Sequence, residues 1–417
     1  MEPVSPPIKI NICETPRREP GSIYFTTRPG GLPTRQPYGW IIGIAQDGSI
    51  LLDRKFIGTT QDIRALPNGN LLFSQSAQGL LYELDPAGTI LHTWHARGKW
   101  IDKAPPAGSI ELPVNHIHHT VAYLPNGNFL ILDAELRQYE NWYSNARDEK
   151  APRQTAALVG DIIHEVTRNG RLVHSHHLFD ILDPYRITHG SFDDYWHKQG
   201  FPGAYDWSHV NAVHHVAEDD TLIISVRHQD CIIKIGRQDG KLRWILSNHG
   251  GWKSDWQKYL LTPEEGLRWQ YHQHDCSPTG SRRVMCFDNG NFRAPAFQTP
   301  LADDENFSRA VEFEVDEANM RIRQIWEYGE KARERIFACY QGGAMRLPKT
   351  GNTFMTFGGI CLKDGKPYGS NVNAFGRARL IEVTPQGEVV FDLQVDDSNA
   401  TQPMAYSAFR STYLPAR

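Results

Sequence analysis

Three histidines of this chain share one setting. Each opens an apolar, strand-like run: His119-Thr-Val-Ala, His209-Val-Asn-Ala and His274-Asp-Cys-Ser. Imidazole can act as base, nucleophile or metal ligand near neutral pH, so three in one register mark a candidate site. Arg227 ends the strand that follows the His209 run. A guanidinium there suits a tetrahedral oxyanion, held by two parallel hydrogen bonds; pairing with an acidic neighbour is the alternative. Asn211, two residues beyond His209, shares that side chain's face on a strand. Imidazoles beside an arginine fit two schemes. One is a metal centre of Fe, Zn or Cu. The other is transfer of an anionic group, with one histidine as nucleophile and the rest neutralising charge and moving protons. The arginine favours transfer, because a cation repels a metal ion. HExxH, paired CxxC and GxxxxGKS/T motifs are absent, so zincin and P-loop chemistry have no support.

What could gather residues so far apart in the chain? One unit recurs: an apolar strand, a tight turn and a second apolar strand. It spans Trp40–Phe56, Leu80–His95, Ile162–Leu178, Ile232–Leu246, Val311–Trp326 and Leu380–Val395. The turn residue is Gly48, Gly88, Gly170, Gly240 and Gly387, with Asn319 in the fifth copy, all types that tolerate positive φ. A second hairpin precedes five copies, at Asp62–Ser74, Thr120–Asp133, Val210–Arg227, Asp275–Asp288 and Ala344–Gly358. Two hairpins make one four-stranded propeller blade. The expected fold is therefore all-β, a six-bladed β-propeller over residues 38–417 after an extended segment, 1–37. Tyr406–Leu414 alternates as a strand and is expected to complete the first blade, so that N- and C-terminal strands close the ring and remove a free edge.

In such a ring the innermost strands face one channel, so the three histidines converge. Gln61 and Gly342 hold the matching places in two other blades. Alternation is expected to turn several of His116, His118, His214, His215, His228 and His272 away, and to leave His92, His95, His174, His176 and His177 solvated on outer hairpins. Long insertions at 135–160, 180–208, 248–272 and 289–307 suit an aromatic-walled entrance, with Trp142, Tyr143, Trp196, Trp252, Trp256 and Tyr259.

Composition narrows the classes. With 44 Lys and Arg against 48 Asp and Glu, the net charge is −4, and no long run of like charges occurs. No nucleic-acid partner is expected. No stretch approaches 18 apolar residues and the N-terminus lacks a signal pattern, so no membrane span and a cytoplasmic location are expected. The six cysteines are scattered, as in a reduced protein.

At the candidate residues the chain resembles the bacterial arylsulfotransferases, which use an aryl sulfate rather than a nucleotide sulfate (PAPS) as donor. The matching stretches are His118-His119 before Leu124-Pro-Asn-Gly-Asn128, Asp206-Trp-Ser-His-Val-Asn-Ala212, Ile223-Ile-Ser-Val-Arg-His-Gln229, Ile232–Leu246, Gln273-His274 and Phe287-Asp-Asn-Gly290. This run is long, ordered and specific, and the resemblance covers roughly residues 38–414. It implies that His274 takes the sulfuryl group as a sulfohistidine. It also implies that His209 and Arg227 bind the sulfuryl oxygens with Asn211 alongside. His119, or His118 if the register slips by one, completes the site and exchanges the phenolic proton. The implied reaction is ping-pong, from an aryl sulfate donor to a phenolic acceptor, with no metal or other cofactor required. Many relatives carry an acidic residue after the His-His pair, where this chain has Thr120. Two other readings stay open: a metal-dependent enzyme or lyase using the same histidines, and a non-catalytic binding propeller.

Overall fold

A computed structural model of the chain describes residues 5–30, 38–371, 374–396 and 405–416. The fold is an all-β propeller, and its α-helices among the described residues, Leu178–Ile181 and Ser254–Gln257, are four residues each. None is long and apolar enough to cross a membrane.

The recurrent hairpins form as their turns dictate. Gly48, Gly88, Gly170, Gly240 and Gly387 all have positive φ, from 62° to 91°. In the fifth copy the left-handed residue is Met320 (φ 51°), not Asn319. The Asn319 amide instead bonds Asp316 Oδ2 at 2.7 Å, a side-chain brace that lets its bulkier neighbour take the strained place.

The strands pair into six sheets. Five, not six, are blades wound from one continuous stretch of chain. Their inner hairpins begin at Ile63–Ala65, His118–Tyr123, Val210–Val216, His274–Gly280 and Gly343–Arg346. The remaining sheet is a composite. Ala405–Pro415 pairs with Gly21–Gly30, which pairs with Tyr38–Ile44 and then Ile50–Ile57. The copy beginning at Trp40 has no inner hairpin of its own, and both chain ends supply one. Residue 38 is therefore no boundary: Gly21–Gly30 lies inside this sheet, and Ile8–Cys13 edges the last blade against Val389–Val395.

Hydrophobic cores lie between successive sheets. Leu72, Leu81 and Trp94 meet Val121, Phe129 and Ile131; Leu132 and Ile163 meet Val213 and Ile224; Ile223 and Ile232 meet Cys276 and Val311. Met285 and Phe287 meet Met355 and Phe357. The composite sheet packs on both sides, through Phe25 against Phe354 and Phe391 and through Tyr24 against Phe73. Burial of these side chains, at about 25 cal/mol per Å² of apolar surface, holds neighbouring sheets together.

The insertion expected at 135–160 is mostly regular structure. Phe129–Trp142 and Gln154–Val166 pair as one long hairpin. Trp142 and Trp252 are core residues rather than an entrance wall, and their indole N–H groups donate to Pro184 O and Asn248 O.

Candidate active site

Three inner strands break their pairing at one level. Register slips between His118 and Val121, between Val210 and Ala212, and between His274 and Cys276. Left-handed backbone appears there at His119 and His209, each with φ 49°, and at Asp275 with φ 68°. Such a conformation costs a non-glycine residue about 1–3 kcal/mol, and bulges of this kind re-aim side chains. Here they turn the imidazoles inward. The His119 ring lies 4.6 Å from His209 and 5.9 Å from His274, centroid to centroid. Gln61 and Gly342 complete the circle, as their positions suggested. Gln61 Oε1 accepts from the His119 backbone N–H at 3.2 Å, and the Gly342 carbonyl accepts from His274 Nδ1 at 2.7 Å. Phe409, on the C-terminal strand, packs 5.7 Å from His119 and 4.9 Å from His274.

The Gly342 bond sets the tautomer of His274. A carbonyl only accepts, so Nδ1 holds the proton and Nε2 the lone pair. Nε2 is buried and without a hydrogen-bond partner among the described residues. Burial, reinforced by the charges of Arg410 and Arg227, holds the His274 pKa well below 6.5. The ring is therefore neutral at neutral pH, with its Nε2 lone pair free.

His118 and His119 divide their roles. Their Nδ1 atoms are 3.0 Å apart, so one donates to the other. His118 Nε2 points away from the channel, 3.1 Å from Asp161 Oδ1. Burial opposes a charge on His118, but Asp161 and Asp133 outweigh it and raise its pKa. His119 faces the channel, and burial with the neighbouring His209, His118, His274 and Arg410 drives its pKa well below 6.5. His118 is the natural donor in the pair.

Arg227 is 7% exposed and makes no ion pair among the described residues. Its Nη2 donates to Cys339 O at 2.8 Å and Nη1 to His272 O at 3.3 Å. Its charge acts on both His209 and His274. The Asn211 amide is engaged by backbone. Its Nδ2 donates to Gln273 O at 2.8 Å, and its Oδ1 accepts from Asp275 N at 3.1 Å.

Two of the six histidines of which several were expected to turn away join the cluster. His228 stacks on His209 at 4.4 Å, and His272 lies 5.7 Å from His228. Both leave regular strand geometry, His228 in the short turn Arg227–Gln229 and His272 with φ 49°, so alternation no longer decides where they point. His209 Nδ1 bonds Asp206 Oδ2, and His228 Nδ1 donates to the Asp206 carbonyl at 2.7 Å. Asp206 is fixed because Tyr205–Asp206 lies parallel to Leu158–Val159, with the buried Trp207 stacked 4.8 Å from Phe179. Burial raises Asp206 to about 8. It lowers His209 and His228 to about 3, with Arg227 adding to the effect at His209.

Ligating atoms of Asp206, His209 and His228 lie within 4.8 Å of one another, a spacing that could gather a metal ion. The hydrogen bond between His209 Nδ1 and Asp206 Oδ2 occupies that carboxyl group, however, and the unpaired Arg227 charge opposes a further cation.

Below the histidines a buried charge network fills the axis. Arg410, 1% exposed, lies 2.9 Å from Asp62 and 2.8 Å from Asp275, and donates to Thr120 Oγ1 at 2.6 Å. Arg64 adds a contact to Asp62 at 3.2 Å, and His214 one to Asp275 at 3.0 Å. Sequence reasoning missed Arg410, Phe409, Asp206 and Tyr195. Tyr195 packs 5.0 Å from His209 and 5.8 Å from His119. The available signal was the C-terminal strand itself: once Tyr406–Leu414 is placed innermost, its residues 409 and 410 must enter the channel. Of the outer histidines, His92 is exposed but His95 is buried and bonded to Ser109 Oγ at 2.9 Å. A surface cleft of about 470 Å³, lined by Tyr328, Arg379 and Asp392, lies at the rim and contains none of the channel histidines.

Comparison with known proteins places these residues in a family context. The profile described as Arylsulfotransferase (ASST) matches residues 41–407. An arylsulfate sulfotransferase AssT of Escherichia coli O6:H1 is 28% identical over 389 residues, covering 82% of this chain and 59% of that protein. The AssT of Lelliottia amnigena is 30% identical over 260 residues, 52% of this chain and 42% of that protein. The chain thus spans less than two thirds of the length of either relative. A Bacteroides caccae protein of unknown function, of known crystal structure, is 12% identical with a TM-score of 0.46, covering 95% of this chain and 100% of that one.

Proposed function

Because the chain belongs to the arylsulfotransferase family, we propose that it moves a sulfuryl group from an aryl sulfate to a phenol through a sulfohistidine on His274. The observation that carries this reading is the free, buried Nε2 of a neutral His274, fixed by the Gly342 carbonyl beside an uncompensated arginine.

The chemistry then follows from the residues. His274 Nε2 attacks sulfur; the N–S bond forms as the aryl O–S bond breaks, and the electron pair leaves on the phenolate oxygen. Arg227 and His209 stabilise the sulfuryl oxygens, where fixed cationic and hydrogen-bonding groups are most effective away from water. His119 Nε2 gives a proton to the departing oxygen while His118 passes its Nδ1 proton to His119. That leaves His118 neutral; Asp161 stabilises its protonated form, which is the source of the proton and is restored when the acceptor's proton returns. In the second half an incoming phenol returns its proton along the same pair as its oxygen attacks sulfur and the N–S bond breaks. Donor product leaves before acceptor reacts, so the kinetics are ping-pong and no nucleotide sulfate is used.

The test is incubation with 4-nitrophenyl sulfate, with and without a phenol. Nitrophenol release and a mass gain of one SO₃ group on the peptide containing His274 are expected, both lost in His274→Ala. Turnover that survives in His274→Ala would reject the assignment.

A further inference from the structure

On the strand paired with the C-terminal strand that carries Phe409 stands a cation without a counter-ion among the described residues. Arg28 is half-buried and makes neither an ion pair nor a hydrogen bond among the described residues. Three buried arginines are matched by carboxylates, Arg18 by Glu382, Arg309 by Asp288 and Arg410 by Asp62 and Asp275, while Arg186 and Arg227 donate to backbone carbonyls; Arg28 has neither kind of partner among the described residues. The ionisable groups that act on Arg28 are instead the phenols of Tyr195 and Tyr340.

Strand register locates it. Arg28 pairs directly with Ser407, so the two side chains project to the same side of the sheet. Tyr340 is close enough for both Ser407 and Arg28 to act on its phenol. Two residues further along the same innermost strand is Phe409, whose ring touches His119 and His274. Two residues of strand rise about 7 Å, the reach of an aromatic ring with a para substituent. Tyr195 borders the same space from the opposite side, against His119 and His209. An aryl group whose sulfuryl end meets His274 and whose ring lies on Phe409 therefore directs its far end toward Arg28.

We infer that Arg28, flanked by Tyr195 and Tyr340, is a second anion subsite that selects aromatic substrates carrying an acidic substituent, of the carboxylate class, opposite the reacting oxygen. This deepens the sulfuryl-transfer reading and rests on it for the placement of the ring. A guanidinium holding no internal partner gains most from a carboxylate, which it can meet with two parallel hydrogen bonds, whereas a neutral substituent leaves it half-buried and unpaired.

Calorimetric binding of 4-hydroxybenzoate and of its neutral isostere 4-hydroxybenzamide tests the subsite without needing turnover. The native protein is expected to prefer the carboxylate by about tenfold or more, the scale of one charge-assisted hydrogen bond. Arg28→Gln is expected to bring that ratio close to one, and Arg28→Lys to keep part of it, each with a melting curve run alongside. A native ratio near one, or a ratio unchanged in Arg28→Gln, overturns the subsite. The two readings separate in one further assay. Carboxylate preference without any turnover of aryl sulfate sinks the transferase reading and leaves the subsite standing; turnover without preference does the reverse.

Discussion

The side chain of Asn211 brackets the backbone of His274, donating to the carbonyl just before it at 2.8 Å and accepting from the N–H just after it at 3.1 Å. An adjacent inner strand thereby holds the candidate nucleophile at its bulge, where Asp275 has φ 68°. Strained backbone persists only where surrounding structure over-determines it.

Asn211→Leu keeps the bulk and removes both bonds. It orphans two buried backbone groups, at about 1–3 kcal/mol each. Denaturant unfolding should show that loss, while kcat falls about ten- to a hundredfold with a smaller change in KM, because misplacement of a reacting group acts on the chemical step. An unchanged kcat at reduced stability would make Asn211 a packing residue only.

Arg227→Lys preserves the charge and discards the planar fork. The lysine should not reproduce the bonds to Cys339 O and His272 O, and rigid placement of charge is lost. Removing one preorganised oxyanion donor typically costs about 10²–10³ in rate, and Arg227→Met should lose at least as much as Arg227→Lys. Steady-state kcat/KM for 4-nitrophenyl sulfate decides it; near-native activity of Arg227→Lys would place the sulfuryl oxygens elsewhere.

Much of this site is legible without coordinates, and the illegible part has a physical pattern. The repeated hairpins reveal themselves because period-2 apolar runs around a glycine turn are local. Equivalence among His119, His209 and His274 follows from that repeat. Alternation misplaces His228 and His272, since each bulge or turn inserts a residue and flips what comes after. Asn211 keeps the predicted position but points to backbone, a detail that period cannot specify. Arg28 and Arg410 stay hidden for another reason: they lie on strands from opposite chain ends, in the sheet that lacks a complete repeat of its own.

Acidification should weaken the fold. Folded His209 and His228 titrate near 3, against the usual 6.5. Between those values the unfolded chain binds protons that the folded site refuses, so stability present above pH 6.5 is lost as pH falls through that window. Asp206 has the opposite sign. Raised to about 8, it keeps its proton in the fold, and its contribution fades as pH rises toward 8. His119 and His274, held well below 6.5, act with His209 and His228, while the raised His118 acts with Asp206, so four histidines outweigh two opposing groups and acidification brings a net loss. Denaturation midpoints should fall from pH 6.5 to 5, less steeply in His228→Gln; equal slopes would refute the account.

The His118–His119 pair makes a prediction that depends on the leaving group. Asp161 Oδ1 supports the proton on His118 at 3.1 Å, while its Oδ2 accepts from Val210 N at 2.7 Å. Asp161→Asn retains an acceptor for that backbone group but removes the charge that raises the His118 pKa. General acid catalysis is typically worth about 10²–10⁴, and it matters most when the departing oxygen is basic. Phenyl sulfate, whose phenolate is a strong base, should therefore lose far more activity in Asp161→Asn than 4-nitrophenyl sulfate, whose phenolate leaves readily. Transfer to a basic phenol should slow in the same proportion, since the acceptor's proton returns along the same two rings. A uniform decrease across leaving groups would show that Asp161 holds His118 in place without supplying the proton.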